Sequence, residues 1–402
     1  FLSVAATMSA ALSINGLTGK KETIIGDGRP LSRELRVVGR VRHPSGGAVT
    51  RKELPESLVR LQSVYPPLSQ YEFPDRSPES VLTTIIEQFS KMREDSPLAV
   101  EYLQRANEDL KAEVPQSQPP YWLEFGFLPD FRTFVSSVYD MSRDSTPGYP
   151  LSLIYKNKLE YAIDNMAELY EALCLRCLSL YYNFSADDSP AVRFSKGQQG
   201  FVTVTVKNEP IKRGKPPRLV FPTDIVDEVL ERCIYGNHYD AMKRHWGEFY
   251  SCIGIGFSKL DSDILFEGLP KERVLSSNDS PKFDTTQTLL EEFLDNDLCV
   301  HSYGGRCHPK VRTLMRNHSV CAMNALLVLP DGTVLEQTRP GVMYSGRYPT
   351  SCGNTNRRTR RSYAVDHYIR DTYSADFQSA TRAAGDDCVE AHHCEKERVY
   401  QK

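Results

Sequence analysis

A chain of 402 residues is too long for one small domain and long enough to bury a substantial core. Hydrophobic residues at 40% and charged residues at 25% are ordinary for a soluble globular protein. With no internal repeat and no low-complexity tract, they exclude a fibrous or unstructured chain. The formal net charge of −3 argues against a uniformly basic nucleic-acid binder, but a large enzyme can be neutral overall and still line one channel with arginine, so local charge decides.

The chain opens on Phe1 rather than Met and reads as cut from a longer precursor or as a fragment. FLSVAATMSAALSI is mildly apolar but lacks the basic leader of a signal peptide. No apolar run approaches the roughly 18 residues that a membrane span needs. Residues 20–76 mix Pro, Gly and charge without periodicity, which suggests loops and short strands. Ser77-Pro78 reads as an N-cap and first helical position, opening a helix through about Met92. A second helix is expected from Pro97 to Lys111. PQSQPP, 115–120, reads as a linker and a first boundary.

Beyond Tyr121 aromatics become denser. Cys174 and Cys177 form the one CxxC, inside the apolar YEALCLRCLSLYY. With no second ligand pair nearby, they read as buried thiols in a reducing cytosol rather than a zinc site. FVTVTVK, 201–207, alternates like a strand. Asp227 to His238 reads as a helix, with Val226, Val229, Leu230 and Cys233 on one face. Arg273 to Ser277 is a short strand. After Asp284, Leu289, Leu290, Phe293, Leu294 and Leu298 recur at helical spacing. Ala325–Leu329 and Thr333–Gln337 flank Pro330-Asp331-Gly332, a hairpin signal. His392-His393-Cys394 lacks metal-ligand spacing and reads as structural. Strands, hairpins and helices are mixed, which indicates an α+β fold.

Gly385-Asp386-Asp387 is weak alone, because such a tripeptide recurs by chance in roughly one chain in ten of this length. It reads either as a solvated turn or as two carboxylates presented to a divalent metal ion. Asp279 changes the balance. It follows a short strand, and an acid there can sit beside a turn on a neighbouring strand, so that the two acids hold two ions roughly 3.5–4 Å apart. Asp284 reads as an N-cap of the following helix, as a functional acid, or as both.

Within YSGRYPTSCGNTNRRTRR, 344–361, Gly346 permits close approach. Thr350 and Asn354 share a face if a helix starts there. With Ser345 they suit a pocket that hydrogen-bonds a ribose 2′-hydroxyl; the plain alternative is a loop entering a capped helix. Arg357, Arg358, Arg360 and Arg361 read as template-phosphate contacts or as a solvated helix face. VKNEPIKRGKPPRLV, 206–220, places Lys207, Lys212, Arg213, Lys215 and Arg218 against the single acid Glu209. It reads as a triphosphate-binding stretch or an exposed loop.

In chain order, STPGYP, VKNEP–KPPRLV, DSPKFD, SGRYPTSCGNT and GDD resemble the motifs of viral RNA-dependent RNA polymerases. FPTDIVDEVLERCIYGNH, from Phe221, together with SGRYPTSCGNTNRR and AAGDDCVE is most similar to the sobemovirus and polerovirus group. The resemblance covers about 145–390. It implies that Asp279 and Asp386 are metal-binding acids, supported by Asp387. It implies that Asp284 and Asn354 sense the ribose, helped by Ser345, Gly346 and Thr350. Lys207 and Arg218 become the triphosphate contacts, with Glu209 as their salt-bridge partner, and Ser145–Pro150 becomes a template-entry loop. Lys215 is three residues before Arg218 where many relatives have two, and Arg382 is unusual in the strand before GDD.

The implied fold is a right-hand polymerase, fingers and a palm with an RNA-recognition-like antiparallel sheet. Residues 1–115 are an N-terminal extension or fingers, 116–271 fingers, 272–298 palm, 299–340 a fingers insertion and 341–402 palm. The thumb is missing or truncated. Neither Lys396 nor Lys402 has the motif of the lysine that protonates pyrophosphate, so the natural protein is expected to extend past Lys402 and the 402 residues alone to be poorly processive. The implied cofactor is Mg²⁺, with Mn²⁺ able to substitute. The implied partners are template and nascent RNA, ribonucleoside triphosphates and other viral replication proteins. Priming stays open between a genome-linked viral protein and de novo initiation. The implied location is the host cytoplasm, in membrane-associated replication complexes. A reverse transcriptase and a non-catalytic RNA-binding fragment are the rival readings; Gly385 and Asn354 favour an RNA product.

Overall fold

The computed structural model describes residues 28–41, 56–256, 258–278, 280, 282–373 and 379–392. The fold is mixed α+β. In chain order, the elements that position the site begin with strand β1 (Leu35–Arg40) and helices α1 (Pro78–Phe89) and α2 (Pro97–Glu113). Ser77 and Ser96 cap the two helices by accepting from Ser80 N–H and Ala99 N–H, each with Pro at the first helical position. Helix α1 stops three residues short of the expected Met92, and α2 runs two past Lys111. Strands β2 (Phe201–Thr203), β3 (Thr205–Val206) and β4 (Leu219–Val220) precede helix α3 (Ile225–Arg244). Then come β5 (Val274–Asn278), α4 (Leu289–Ser302), α5 (Pro309–Ala322), β6 (Leu326–Val328) and β7 (Thr333–Gln337). The described chain closes with α6 (Thr350–Tyr373), β8 (Ala380–Ala384) and β9 (Asp387–His392).

The strand expected over 201–207 is broken at Val204. Its first half lies parallel to β6, and its second half pairs antiparallel with β4. The break occurs where Thr203 N–H donates to Pro222 and Val204 N–H to Val328, so the chain changes partners between consecutive residues. A five-stranded sheet runs in the order Arg29–Pro30, β1, β7, β6, β2. Period-2 alternation sends Leu327, Leu329 and Leu335 to a face covered by Val81, Ile85 and Phe89 of α1. Leu326, Val328 and Val334 point to the other face, against Tyr149 and Phe201. A separate three-stranded antiparallel sheet has the order β8, β9, β5, and α6 packs on it.

Helix α4 departs from a simple amphipathic pattern. Its cap is Thr288, in a capping box with Glu291. The N-cap reading of Asp284 is therefore corrected: Asp284 lies one turn earlier, in the 3₁₀ segment Phe283–Thr286. Leu294 and Leu298 are buried as expected, but so are Glu291, Glu292 and Asp295. These acids face the arginines of α6. Arg357 bonds Glu292 and Asp295, and Arg360 bonds Asp295 and Asn107 of α2. Arg361 makes a two-toothed contact with Glu291, at 2.7 and 2.8 Å. Arg347 joins Glu231 of α3 to Glu292. Arg357 and Arg360 are thus neither a template surface nor a solvated face, because both are 0% exposed, while Arg358 and Arg361 are half-buried.

Burial alone would raise the Glu292 carboxyl, but the guanidiniums of Arg347 and Arg357 outweigh it and hold the pKa at about 2. A depressed carboxylate contributes stability that is complete above its ordinary value of 4.5 and is lost as pH falls through about 2. Arg357→Met leaves Glu292 and Asp295 under-compensated. It should cost about 3–5 kcal/mol, the usual result of removing one partner from a buried pair, and should move acid unfolding to higher pH. Thermal melts across a pH series measure both; an unchanged melting temperature would contradict the role given to this network.

Candidate active site

The three-stranded sheet presents a turn at one end. Strands β8 and β9 pair from Ala380↔Ala391 to Ala384↔Asp387, and Gly385-Asp386 form the turn between them. Gly385 has φ +72°, the left-handed region that a residue without Cβ adopts at least cost. Asp386 and Asp387 are both exposed. Strand β5 lies beside β9 with Asn278 opposite Cys388, one position from Asp387. Asp279, which follows β5 in the sequence, lies outside the described residues, as do His393 and Cys394.

Asp284 and Asn354, which are 70 positions apart, meet directly: Asn354 Nδ2 donates to Asp284 Oδ1 at 2.6 Å. Asn354 projects from the second turn of α6, and Asp284 is fixed from below, where its carbonyl accepts from Met343 N–H at 2.8 Å. Burial raises the Asp284 carboxyl above its ordinary range, and the Asp386 charge raises it further, against the Asn354 hydrogen bond and Arg357. Asp386 is therefore close enough to Asp284 to be felt electrostatically. Asn354 is 4% exposed, and its Oδ1 has no partner among the described residues. A buried acceptor left open in this way is uncommon and calls for a ligand or water.

The loop entering α6 is tightly held. Thr350, the first residue of α6, shares its hydroxyl proton between the carbonyls of Arg347 and Tyr344, at 2.8 and 3.1 Å, tying the start of the helix to the loop before it. Ser345 is exposed. A Cβ on Gly346 would come within 2.8 Å of Pro222 Cα, so the close approach this glycine permits is to backbone of the chain itself. Just before the loop, Val342 sits at φ +76° while 1% exposed. For a β-branched residue this conformation costs about 1–3 kcal/mol and persists only where packing imposes it.

Lys207 and Arg218 form a second group. Lys207 Nζ and Arg218 Nη1 contact the two oxygens of Glu209 at 2.8 and 2.7 Å. The hydrogen bond from Lys207, with Arg218 beside it, holds the Glu209 carboxyl below its ordinary range. The short β3–β4 ladder sets this up, because Lys207 N–H donates to the Arg218 carbonyl. Lys212, Arg213 and Lys215 are exposed. Among the described residues no hydrogen bond or ion pair joins this group to Asp284, Asn354 or the turn. They are connected through Phe221-Pro222, which leaves β4 and packs under Gly346.

Arg382 has a structural account: its guanidinium donates to the Phe249 carbonyl and lies against Gly268. The adjoining Ala383 N–H donates to Tyr250 at 2.9 Å, so β8 is docked on 249–252. Arg347, Glu231 and Glu292 were missed from the sequence as members of the site's support. The available signal was complementarity, with acids at 291, 292 and 295 and arginines at 357, 360 and 361 at matching helical spacing.

Residues 286–400 match the sequence profile of the family described as Viral RNA-directed RNA-polymerase. The replicase polyprotein P2AB of Southern bean mosaic virus is 28% identical over 335 residues, covering 77% of this chain and 33% of the polyprotein. Over these residues the chain is similar to viral RNA-directed RNA polymerases. Other proteins similar to it include the RNA-directed RNA polymerase of Mushroom bacilliform virus, 22% identical over 262 residues, with 63% of this chain and 62% of that protein covered. Protein P1-P2 of Potato leafroll virus is 27% identical over 216 residues, covering 49% of this chain and 19% of that protein. The chain spans about a third of the length of the sobemovirus replicase polyproteins that it matches. The family profile includes Ser345 to Asn354 and Asp386-Asp387, while Lys207, Arg218, Asp279 and Asp284 precede it.

Among the described residues no cluster of three or more His, Cys, Asp or Glu side chains is poised to hold a metal ion. The donors at the turn are nonetheless of the right kind: exposed carboxylate oxygens, the hard ligands that Mg²⁺ takes one or two at a time. Gly346→Ala should destabilise the chain by about 1–3 kcal/mol, the range for overpacking a filled site, because backbone rather than a flexible side chain must yield. The melting temperature of that variant measures it; wild-type stability would show that the loop is looser than its contacts indicate.

Proposed function

We propose that this chain catalyses template-directed synthesis of RNA from ribonucleoside triphosphates, replicating the genome of a positive-strand RNA virus. The observation that carries the reading is the open acceptor of Asn354: a buried Oδ1 without a protein partner, on a side chain already held by Asp284, within electrostatic reach of Asp386. That is what a pocket needs in order to recognise a sugar hydroxyl beside a metal-dependent reaction.

The reaction is attack of a 3′-hydroxyl on the α-phosphate of the incoming nucleotide, with pyrophosphate leaving. Asp279 and Asp386, with Asp387 in support, would hold divalent ions, which when bound supply neutralisation of the charge that develops on the phosphate. Asn354 would accept from the ribose 2′-hydroxyl, and Asp284 would keep its amide oriented. Lys207 and Arg218 would exchange part of their contact with Glu209 for triphosphate oxygens. Ser345, Gly346 and Thr350 shape the loop beneath the ribose, and Ser145–Pro150 guides the template.

In this reading, the β8–β9–β5 sheet with α4 and α6 is the palm, spanning 272–298 and 341–402. Residues 116–271 and the 299–340 insertion are fingers, and β1 ties the N-terminal extension to them by pairing with β7. Partners are template and nascent RNA and, because the relatives are polyproteins, other viral replication proteins, with a genome-linked protein as one source of primer. No helix among the described residues is long and apolar enough to cross a membrane.

Asp386→Asn is nearly isosteric and removes a carboxylate, so nucleotide incorporation should be abolished while melting temperature and RNA binding stay close to wild type. Asp279→Asn should behave alike. Primer extension with Mg²⁺ or Mn²⁺ is the measurement. Extension by the Asp386 variant would remove the two-metal assignment, and absence of incorporation by the wild type would favour a non-catalytic RNA-binding role.

Asn354→Ala should lower the ribo-to-deoxynucleotide preference by about tenfold, the equivalent of one hydrogen bond worth about 1.4 kcal/mol, with a smaller effect on the rate with Mn²⁺. Steady-state incorporation of paired ribo- and deoxynucleotides measures the ratio. An unchanged ratio would reduce Asn354 to a structural partner of Asp284, and a wild-type preference for deoxynucleotides would indicate a reverse transcriptase.

A further inference from the structure

Thr355 is the residue next to Asn354 on α6 and is fully buried. Successive residues leave a helix about 100° apart, so these two side chains reach in different directions from the same turn. Asn354 reaches Asp284. Thr355 reaches the metal-acid turn: its hydroxyl accepts from Gly385 N–H at 2.8 Å and donates to the Ser351 carbonyl at 2.9 Å. A hydroxyl has one proton and two lone pairs. With the proton committed to Ser351, the oxygen is left as an acceptor, which is what the Gly385 N–H requires. That N–H belongs to Gly385, the residue immediately before Asp386.

The contact is the end of a seam. Farther along the same face of α6, Thr381 donates to Ser362 at 3.1 Å, and Ser379 bonds Asp366 through both its N–H and its hydroxyl, at 2.8 and 3.0 Å. Positions 355, 362 and 366 are seven and four apart, which keeps them on one side of the helix. Strand β8 is therefore carried by polar side chains of α6, and Thr355 is the one that reaches past the strand to the turn.

We propose that Thr355 is a positioning residue that holds the Gly385-Asp386 turn in register with the ribose-sensing pair, so that metal requirement and sugar discrimination are set by one helical turn. The inference rests on the polymerase reading above. Without the hydroxyl, Gly385 N–H loses its acceptor and the carboxylate of Asp386 is no longer fixed relative to Asn354. Partners of this indirect kind typically change metal affinity or activity by about 10–100-fold.

The test compares wild type, Thr355→Val, Thr355→Ser and Thr359→Val. Three quantities are read: Mg²⁺ concentration for half-maximal incorporation, ribo-to-deoxynucleotide ratio, and hydrogen exchange of the peptide covering 380–392. Thr355→Val should raise the Mg²⁺ requirement by about tenfold or more, lower the ratio, and speed exchange at the hairpin. Thr355→Ser keeps the hydroxyl and should restore all three. Thr359→Val is the control, since that buried hydroxyl serves its own helix by donating to the Thr355 carbonyl at 3.0 Å; it should lose thermal stability without a change in Mg²⁺ requirement. Should Thr355→Val not fold, Thr355→Ala carries the same expectation.

A wild-type Mg²⁺ requirement and hairpin exchange in the hydroxyl-free variant would overturn the proposal, as would an equal Mg²⁺ shift in Thr359→Val. If the wild type incorporates no nucleotide, the polymerase reading fails on that result. The exchange measurement then decides the positioning role by itself, unchanged exchange overturning it.

Discussion

The ion network between α4 and α6 places four guanidiniums and four carboxylates where water is largely excluded. Arg347, Arg357, Arg360 and Arg361 meet Glu231, Glu291, Glu292 and Asp295. Each of these charges would be costly alone, and the pairing offsets that cost without making the network a large source of net stability. Its effect is geometric. A helix packed only by leucines can rotate or slide with modest loss, whereas rotating α6 by one residue would separate several buried charges at once. That constraint sets which residues of α6 face the turn.

The site follows from that orientation. With Arg357 and Arg360 locked onto α4, Asn354 and Thr355 lie a turn earlier, facing Asp284 and Gly385. Arg347 extends the lock to α3 through Glu231, which also accepts from Tyr348 N–H at 3.1 Å, and so holds the loop leading into α6. Helix α2 closes the arrangement, since its Asn107 bonds both Arg360 and Asp297. The N-terminal region is thus part of the support of the site. The exposed acids at the turn, Asp386 and Asp387, take no part in this network, whose arginines pair with Glu231, Glu291, Glu292 and Asp295.

Local signals were legible where the physics is local. Ser77-Pro78 marked a helix start because a hydroxyl cap and a proline without N–H both suit the first turn. Pro330-Asp331-Gly332 marked a hairpin, and Gly332 at φ +84° shows why glycine is there. Cues failed where a distant segment decided the outcome. FVTVTVK reads as one strand, yet Val204 changes partners because Val328 and Pro222 offer competing acceptors. Asp284 reads as a cap, yet Thr288, four residues on, has the capping box. Charge misled most on α6, where four arginines in five residues look solvent-facing until α4 supplies buried acids opposite them.

By itself the sequence determined the elements, the mixed α+β class and the order of motifs that resembles viral polymerases, because caps, turns and periodicity depend on neighbours along the chain. The resemblance also paired Asp284 with Asn354, and Glu209 with Lys207 and Arg218, and the structure has each of these two contacts. Tertiary structure alone decided that Asn354 meets Asp284 across 70 positions, that Arg357 and Arg360 are internal, and that Thr355 holds the turn before Asp386. Those contacts join segments far apart in the chain, and which face of α6 turns inward depends on the charges of α4, α3 and α2 together, a balance no single window of residues contains.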